Sequence, residues 1–293
     1  MLKIKKMLDC TIAEAVHAWN VGFEGYPMNM NTVPDKFIER MVNEDLSISL
    51  SIIAFDDKQP IGIVLNGVRE INGQKVAWNG GTGIAREYRG RGVGKKLMDS
   101  SISILKKNSV DIATLEVMDD NFKAYSLYKN KGYKTVDNLE YLKLNGVLEQ
   151  NPIVNTNKNY NVEKVSPQQI GQLRFYKAMN PWQTQWQSAK NGEGILVKDS
   201  SGNEIGYAYY QRGFDFKGTH LSTTLFQCEA RPDLTNAEEV ICFMLSLIFG
   251  DFKDNINRIV PNIPTRNSES IFRVLKEIGF KTIAQQVYMK IEL

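Results

Sequence analysis

Hydrophobic and polar positions along the first half of the chain predict strands and helices in mixed order. Short apolar runs predict strands at 2–7, 49–55, 61–68, 76–84 and 112–117. Thr11 and Glu14 form a capping-box pattern, and apolar positions recur after them at helical spacing. A second apolar stripe predicts a helix over 34–42, and it consists of Phe37, Ile38, Met41 and Val42. This is the element order of a mixed α/β domain.

The second half of the chain repeats the pattern of the first. The stretch L-K-E-I-G-F-K-T at 275–282 aligns with Y-K-N-K-G-Y-K-T at 128–135, and Ala230-Arg231 aligns with Ala85-Arg86 at nearly the same spacing. A near-constant register of this kind is what a tandem duplication leaves. The sequence therefore predicts two domains, at 1–148 and 161–293, joined by an Asn-rich linker at 149–160.

Composition limits the classes of function. The 293 residues suit two domains of ordinary size, with 42% hydrophobic and 24% charged residues. A net charge of +3 is too small to argue for nucleic-acid binding, and the longest apolar run, 240–249, is too short to span a bilayer. Three cysteines and two histidines form no paired motif. We therefore expect no metal site, no disulfide framework and a cytoplasmic protein.

The run R-G-R-G-V-G at 89–94 is the first sign of chemistry. It lies between the strand at 76–84 and an amphipathic helix that begins near Val93. Glycines allow close backbone approach, and the first N–H groups of a helix have no internal partner, so such a turn suits a phosphate. Neither G-x-x-x-x-G-K-[ST] nor G-x-G-x-x-G fits, because Lys95 and Lys96 stand where those patterns need other residues.

A second motif further along the chain indicates which phosphate. Arg89, Gly92 and Gly94 fit R/Q-x-x-G-x-G/A, and residues 121–133 read N-x-x-A-x-x-L-Y-x-x-x-G-Y after the strand at 112–117. The arrangement resembles the GNAT superfamily of acyl-CoA-dependent N-acyltransferases over roughly residues 1–145. Two linked motifs at the right separation are far more specific than either motif alone.

The resemblance implies an α/β (α+β) fold of two tandem GNAT-like domains. Each would have a mixed, mostly antiparallel central sheet flanked by helices, with a splayed strand pair that holds the cofactor. It implies acetyl-CoA as cosubstrate, with its pyrophosphate on the glycine-rich turn and its pantetheine arm beside the strand that ends near Ile84. The cofactor-binding residues it implies are Ile84, Ala85, Arg89, Gly90, Arg91, Gly92, Val93, Gly94, Lys95, Asn121 and Ala124.

Tyr128 matches the tyrosine that would protonate the departing thiolate. A tyrosine with a pKa of about 10 is protonated at neutral pH and can donate that proton. A backbone N–H near Ile84 or Ala85 could stabilise the oxyanion of the reaction. The alternative for Tyr128 is a core aromatic with a satisfied hydroxyl. Gly132 is well placed to end its helix in the left-handed conformation.

The acceptor side is less defined. Glu116 and Glu24 are candidates for the general base, although both also suit ordinary surface or pairing roles. In relatives the loop at 21–27 forms one lip of the acceptor cleft, which makes Phe23, Glu24 and Tyr26 candidate acceptor contacts. Aromatic packing of that loop onto the domain is the alternative.

The second copy lacks this chemistry. Leu234, Ala237 and Glu239 stand at the register of Arg89, Gly92 and Gly94, and Leu275 stands at that of Tyr128. We expect it to keep the fold without binding coenzyme A, and to cover a sheet edge, shape a cleft or form a homodimer. The predicted function is acetyl transfer to a primary amine, either a small molecule or a peptide. The alternatives are a non-catalytic acyl-CoA-binding sensor and an interaction module.

Overall fold

The structure is a computed structural model that describes residues 1–26, 29–153 and 160–293. Pro27 of the predicted acceptor loop and residues 154–159 of the predicted linker lie outside the described residues. The chain forms two compact units, of which the first contains residues 1–136 and 288–293 and the second contains residues 137–287. The predicted domain limits follow the sequence repeat and stay a prediction. The packing units differ from them, because each includes part of the last strand of the other repeat.

The first unit is a sheet flanked by helices. Its strands are β1 Leu2–Lys6, β2 Ile52–Asp56, β3 Gln59–Ile71, β4 Gln74–Ile84 and β5 Ile112–Met118. Its helices are α1 Ile12–Gly22, α2 Pro34–Asn43, α3 Val93–Lys107 and α4 Phe122–Asn130. Neighbouring strands from β1 to β4 are antiparallel, whereas β4 and β5 are parallel. Residues 288–293 lie beside β5, where the N–H of Leu293 donates to the carbonyl of Asp111 at 2.9 Å.

Local sequence explains how the first two helices form. The capping box at the start of α1 is confirmed, since the N–H of Glu14 donates to Thr11 Oγ1 at 3.2 Å and the N–H of Thr11 donates to Glu14 Oε2 at 2.7 Å. The stripe predicted for α2 is wrong in part. Phe37 and Met41 are buried, whereas Ile38 and Val42 are 45% and 68% exposed. The reason is a narrow contact face, on which Phe37 packs edge-on against Trp19 of α1.

The second unit repeats this architecture. It comprises most of β6 Lys134–Asn145, followed by β7 Asn161–Val165, α5 Pro167–Ile170, β8 Glu193–Lys198, β9 Glu204–Phe214, β10 His220–Ala230, α6 Ala237–Phe249, β11 Asn257–Pro264, α7 Glu269–Ile278 and the first part of β12 Lys281–Glu292. The strand order is β6-β11-β10-β9-β8-β7. The pair β10 and β11 is parallel, as β4 and β5 are. The predicted fold class is therefore confirmed. Among the described residues, no helix combines the length and the apolar character needed to cross a membrane.

Candidate active site

A gap between β4 and β5 is the central feature of the first unit. The two strands pair from Val76↔Ile112 to Asn79↔Leu115, and both continue beyond the last pair. The register between β3 and β4 shifts between Asn79 and Gly81, so Gly80 forms a bulge at the point where the pairing ends. A bulge bends its strand and disrupts the local ladder. The bulge thus accounts for the parting of the two strands.

Ile84 and Ala85 at the end of β4 are the two residues expected to offer a backbone N–H to a ligand, and only the N–H of Ile84 faces the gap. The N–H of Ala85 donates to the carbonyl of Ile61 at 2.8 Å, and the carbonyl of Ala85 accepts from the N–H of Tyr88 at 2.9 Å. Because successive residues of an antiparallel strand bond to opposite sides, the N–H of Ile84 points away from β3 and toward the gap. The N–H of Ala85 is already engaged, so of the two candidate N–H groups that of Ile84 is the one left to face a ligand. That Ala85 contacts the cofactor in another way stays a prediction.

The glycine-rich turn has room for a phosphate. Gly90 and Gly92 have φ of 77° and 80°, and a Cβ at either position would meet no atom of the described residues within 4 Å. Helix α3 begins at Val93, and no described side chain caps its first turn. The first N–H groups of α3 therefore lie at a positive helix end with clear space above the turn. With Arg91 and Lys95 exposed nearby, these residues fit a pyrophosphate.

Two further motif residues have structural contacts. The guanidinium of Arg89 donates to the carbonyls of Ile84 at 2.8 Å, Gly22 at 3.1 Å and Glu24 at 2.8 Å. It therefore braces the end of β4 against the loop after α1. Gly94 packs closely against side chains, because a Cβ there would lie 2.9 Å from Ile84 Cδ1 and 3.3 Å from Leu127 Cδ2. That Arg89 also contacts the cofactor stays a prediction.

Asn121 and Ala124 form the start of α4. The N–H of Ala124 donates to Asn121 Oδ1 at 3.2 Å, so Asn121 is the N-cap of the helix that carries Tyr128. An Asn N-cap satisfies one of the unpaired N–H groups of the first turn. The role of both residues in holding pantetheine stays a prediction.

Tyr128 is a buried phenol on α4. It is 7% exposed, and burial raises its pKa to about 12, with a smaller increase from nearby Tyr26 and an opposing hydrogen bond from the Thr82 side chain. The hydroxyl consequently stays protonated at neutral pH and is available as a proton donor. Gly132 has a φ of 94°, which confirms the predicted left-handed end of this helix.

A buried polar pair on β4 extends the environment of Tyr128. Asn79 Nδ2 and Thr82 Oγ1 are 2.9 Å apart, and Asn79 is 7% exposed. The pair spans the Gly80 bulge and connects it to the hydroxyl of Tyr128 through Thr82. Sequence reasoning missed both residues. The available signal was the presence of polar side chains in the N-G-G-T run of an otherwise apolar strand.

The loop after α1 packs Phe23, one of the three predicted acceptor residues, directly against β4, and Tyr26 packs on Phe23. The ring of Phe23 packs on Trp19 at 4.1 Å and on Tyr26 at 5.6 Å between centroids. A Cβ on Gly83 would lie 2.8 Å from Phe23 Cε2, so the loop rests directly on the strand. Burial raises the pKa of Tyr26, and Asp120 raises it further. Glu24 is exposed.

Glu116 lies at the root of the gap. It follows Leu115, the last residue of β5 that pairs with β4, and it is half-buried. Its Oε2 accepts a hydrogen bond from Trp78 Nε1 at 2.7 Å, and Trp78 is 1% exposed. A carboxylate at this position can accept a proton near the gap.

Side chains fill the corresponding region of the second unit. Strand β10 pairs with β11 over 222–224, and a register shift beside Phe226 repeats the bulge. Past the shift, Glu229 Oε2 lies 2.8 Å from Lys177 Nζ, and its Oε1 accepts from Ser268 Oγ at 2.5 Å. A cavity of about 10 Å³ lies beside Glu229. That volume admits one water molecule at most.

The start of α6 is also occupied. Glu238 and Glu239 lie in its first turn, where Glu239 Oε1 accepts from the hydroxyl of Tyr160 at 3.0 Å and Glu238 pairs with Arg273. Two carboxylates beside this helix start complement its positive end and would repel a bound anion. The second unit thus keeps the strand geometry while its side chains close the space.

Comparisons with known proteins agree with a family motif in the first unit and a GNAT-like fold over both units. Residues 14–133 match the acetyltransferase (GNAT) family. A glucosamine N-acetyltransferase region of a fungal multi-domain GH3 beta-N-acetylglucosaminidase superposes with a TM-score of 0.69 at 14% identity, over 99% of this chain and 38% of that one. A GCN5-related N-acetyltransferase from Sphaerobacter thermophilus gives 0.65 at 12% identity, over 100% and 95% of the two chains. No curated relative matches the chain by sequence.

The tandem arrangement also has a structural counterpart. A tandem GNAT protein from the clavulanic acid biosynthesis pathway superposes with a TM-score of 0.62 at 11% identity, over 100% of this chain and 98% of that one. The chain spans less than half the length of the fungal structure. It has the fold of a tandem GNAT protein, and its first repeat carries the sequence pattern of the family. The predicted resemblance to the GNAT superfamily is confirmed.

Proposed function

We propose that the protein is an acyl-CoA-dependent N-acyltransferase that moves an acetyl group from acetyl-CoA to a primary amine. One observation carries the proposal, namely the coincidence in the first unit of an open β4–β5 gap, an uncapped helix start and a buried, protonated Tyr128. Acyl transfer needs room for the pantetheine arm, a site for the pyrophosphate and a proton donor for the leaving sulfur, and these three features would supply them in that order. The second unit instead has Leu275 at the register of Tyr128, two glutamates in the first turn of α6, and Glu229 bound to Lys177 and Ser268 past its bulge.

Binding would use the backbone more than side chains. The N–H groups of the first turn of α3 would hold the pyrophosphate, and the clear space over Gly90 and Gly92 would admit it. The pantetheine arm would lie in the gap beside β4, where the N–H of Ile84 faces it. An exposed strand edge is a natural partner for an amide-bearing ligand.

The chemistry would divide among three groups. The acceptor nitrogen bonds to the thioester carbon, and the oxyanion that forms is stabilised by a backbone N–H such as that of Ile84. The carbon–sulfur bond then breaks, and Tyr128 donates its proton to the leaving sulfur. Glu116 accepts the proton that the amine loses. Phe23 and Tyr26 would line the acceptor side, whereas Glu24 is exposed and is the weaker candidate for the base.

The test combines binding with turnover. Acetyl-CoA titrated into the whole chain should bind at one site per chain, because the second unit is closed. Release of coenzyme A thiol should then require an amine, in a panel that begins with glucosamine and extends to polyamines, amino acids and peptides. Binding without turnover for any amine would favour the acyl-CoA sensor. Absence of binding would favour the interaction module and overturn the proposal.

A further inference from the structure

The last strand of the second repeat supplies part of the first unit. Residues 288–293 lie beside β5, and the N–H of Leu293 donates to the carbonyl of Asp111 at 2.9 Å. Ile291 packs at the end of α4, where a Cβ on Gly132 would lie 3.2 Å from Ile291 Cδ1. The unit that holds Tyr128 is therefore completed by residues from the far end of the chain.

Tyr288 is the residue of this segment that reaches the root of the gap. It is 4% exposed, and its hydroxyl is hydrogen-bonded to the side chain of Thr114. Burial raises the pKa of Tyr288, and the nearby Glu116 carboxylate raises it further, so the phenol stays neutral and can donate. Thr114 Oγ1 in turn donates to the carbonyl of Ala77 at 3.2 Å.

This chain of hydrogen bonds crosses three strands just before β4 and β5 part. Thr114 pairs with Trp78, one step before the last pair, and Glu116 follows two residues later on β5. Trp78 holds Glu116 from the side of β4 at 2.7 Å. Buried hydrogen bonds fix local geometry. Tyr288 anchors Thr114, and Thr114 pairs with Trp78, the residue that holds the Glu116 carboxylate. Tyr288 therefore helps to set where the gap begins and, through Thr114 and Trp78, where the Glu116 carboxylate lies.

We infer that Tyr288, supplied by the last strand of the second repeat, is a positioning residue for the acyl-transfer site of the first unit. This inference rests on the proposed function for its kinetic consequence. It gives the second repeat a role in the reaction although its own cleft is closed.

The chain offers a matched control. Tyr141 stands at the position of the first repeat that corresponds to Tyr288, and it lies on β6 in the second unit. Tyr288→Phe and Tyr141→Phe each remove one hydroxyl from equivalent places in the two last strands. A general effect on strand stability should appear in both variants, whereas an effect on the site should appear in Tyr288→Phe alone.

The kinetic test separates turnover from binding. Tyr288→Phe should lower kcat roughly tenfold, the size expected for loss of one buried hydrogen bond, while the Kd for acetyl-CoA stays within about twofold. Tyr141→Phe should leave both unchanged. In a Glu116→Gln background, Tyr288→Phe should have a much smaller effect, because the two residues act as one unit. Equal losses in both backgrounds would overturn the inference.

A second measurement does not depend on turnover. Amide hydrogen exchange of the peptide that covers β5 should be about tenfold faster in Tyr288→Phe than in the wild type, and unchanged in Tyr141→Phe. Unchanged exchange in both variants would overturn the inference. Lack of wild-type turnover with every amine would instead count against the proposed function, so the two failures are distinguishable.

Discussion

The two units share one strand geometry and differ in what occupies it. In both, a parallel pair of strands parts beside a bulge, at Gly80 in the first unit and at Phe226 in the second. Past the bulge the first unit leads to a turn with clear space over Gly90 and Gly92, whereas the second unit has Glu229 bound to Lys177 and Ser268. The comparison teaches that the fold supplies a gap, and that side-chain volume and charge decide whether the gap can hold a ligand.

The helix starts show the same contrast. The first turn of α3 follows Gly92 in the left-handed conformation and has no carboxylate. The first turn of α6 carries Glu238 and Glu239, both of which have partners. Two equivalent positive helix ends thus differ in their nearby charge. The end of α3 has no carboxylate in its first turn, whereas the end of α6 has two.

The largest effect should follow from placing a carboxylate in the open turn. Gly92→Glu puts a side chain and a negative charge into space that no described atom fills, so acetyl-CoA should no longer raise the melting temperature. Gly92→Ala carries the same positive-φ strain without the charge and should keep part of the shift. Ala237→Glu at the equivalent position of the second unit should leave the shift unchanged. A full shift in Gly92→Glu would contradict the assignment of the pyrophosphate site.

Removing the hydroxyl of Tyr128 should affect catalysis without affecting binding. Tyr128→Phe should lower kcat by roughly 10²-fold, the lower end of what a general acid contributes, with the Kd for acetyl-CoA unchanged. Tyr133→Phe is the control, because Tyr133 is also buried and its ring lies 6.0 Å from that of Tyr128. An equal loss in both variants would point to packing instead of proton donation.

The pKa of Tyr128 adds a pH criterion to this experiment. Burial raises that pKa to about 12, so the hydroxyl stays protonated well above neutral pH. The rate of the wild type should therefore show no decline from loss of this proton up to about pH 10. A decline that starts near neutral pH and disappears in Tyr128→Phe would contradict the assignment.

Substitutions in the closed cleft of the second unit should change the free energy of unfolding and leave acetyl-CoA binding unchanged. Lys177→Met leaves the Glu229 carboxylate buried without its cation, which should cost about 3 kcal/mol in the free energy of unfolding. Lys198→Met breaks the more exposed pair with Glu163 and should cost less than about 1 kcal/mol. Urea denaturation measures both. Equal costs for the two variants would mean that the closed cleft contributes little to stability.

The cost of Lys177→Met should depend on pH in a defined direction. Burial raises the pKa of Glu229 above the ordinary pKa of a glutamate. The contribution of Glu229 to the free energy of unfolding is therefore most favourable at a pH below that ordinary value, where the carboxyl is protonated. It is lost as the pH rises through the raised pKa. The deficit of Lys177→Met should therefore grow as the pH rises above the ordinary pKa of a glutamate. Glu229→Gln in the same background should remove most of that growth.

The smallest effects should come from the two capping boxes. Thr11 caps the eleven-residue α1, and Ser166 caps the four-residue α5. Thr11→Ala should cost about 1 kcal/mol in the free energy of unfolding, whereas Ser166→Ala should cost less because its helix has a single turn. Reversal of that order would show that the start of the second unit depends more on its cap than on packing.

Local sequence predicted the features that depend on neighbours along the chain. The capping box of Thr11, the left-handed Gly132 and the order of strands follow from short-range patterns, and the structure confirms them. The repeat register predicted the second fold. The narrow buried face of α2 could not be predicted, because it depends on the position of Trp19 on another helix.

The candidate site was predictable only in part. The motif identified Gly92 and Tyr128, which depend on spacing, but it could not show that the N–H of Ala85 is already bonded to Ile61. The contributions of Thr82 and Tyr288 depend on contacts between distant parts of the chain. Such contacts leave no periodic signal in one sequence.

The placement of residues 288–293 in the first unit also affects the timing of synthesis. A ribosome that has made residues 1–136 has not yet made the strand that lies beside β5. At ordinary elongation rates of about 5 to 20 residues per second, the missing strand follows on the order of ten to thirty seconds later. Of the two units, the one whose synthesis begins first is thus the one that is completed last.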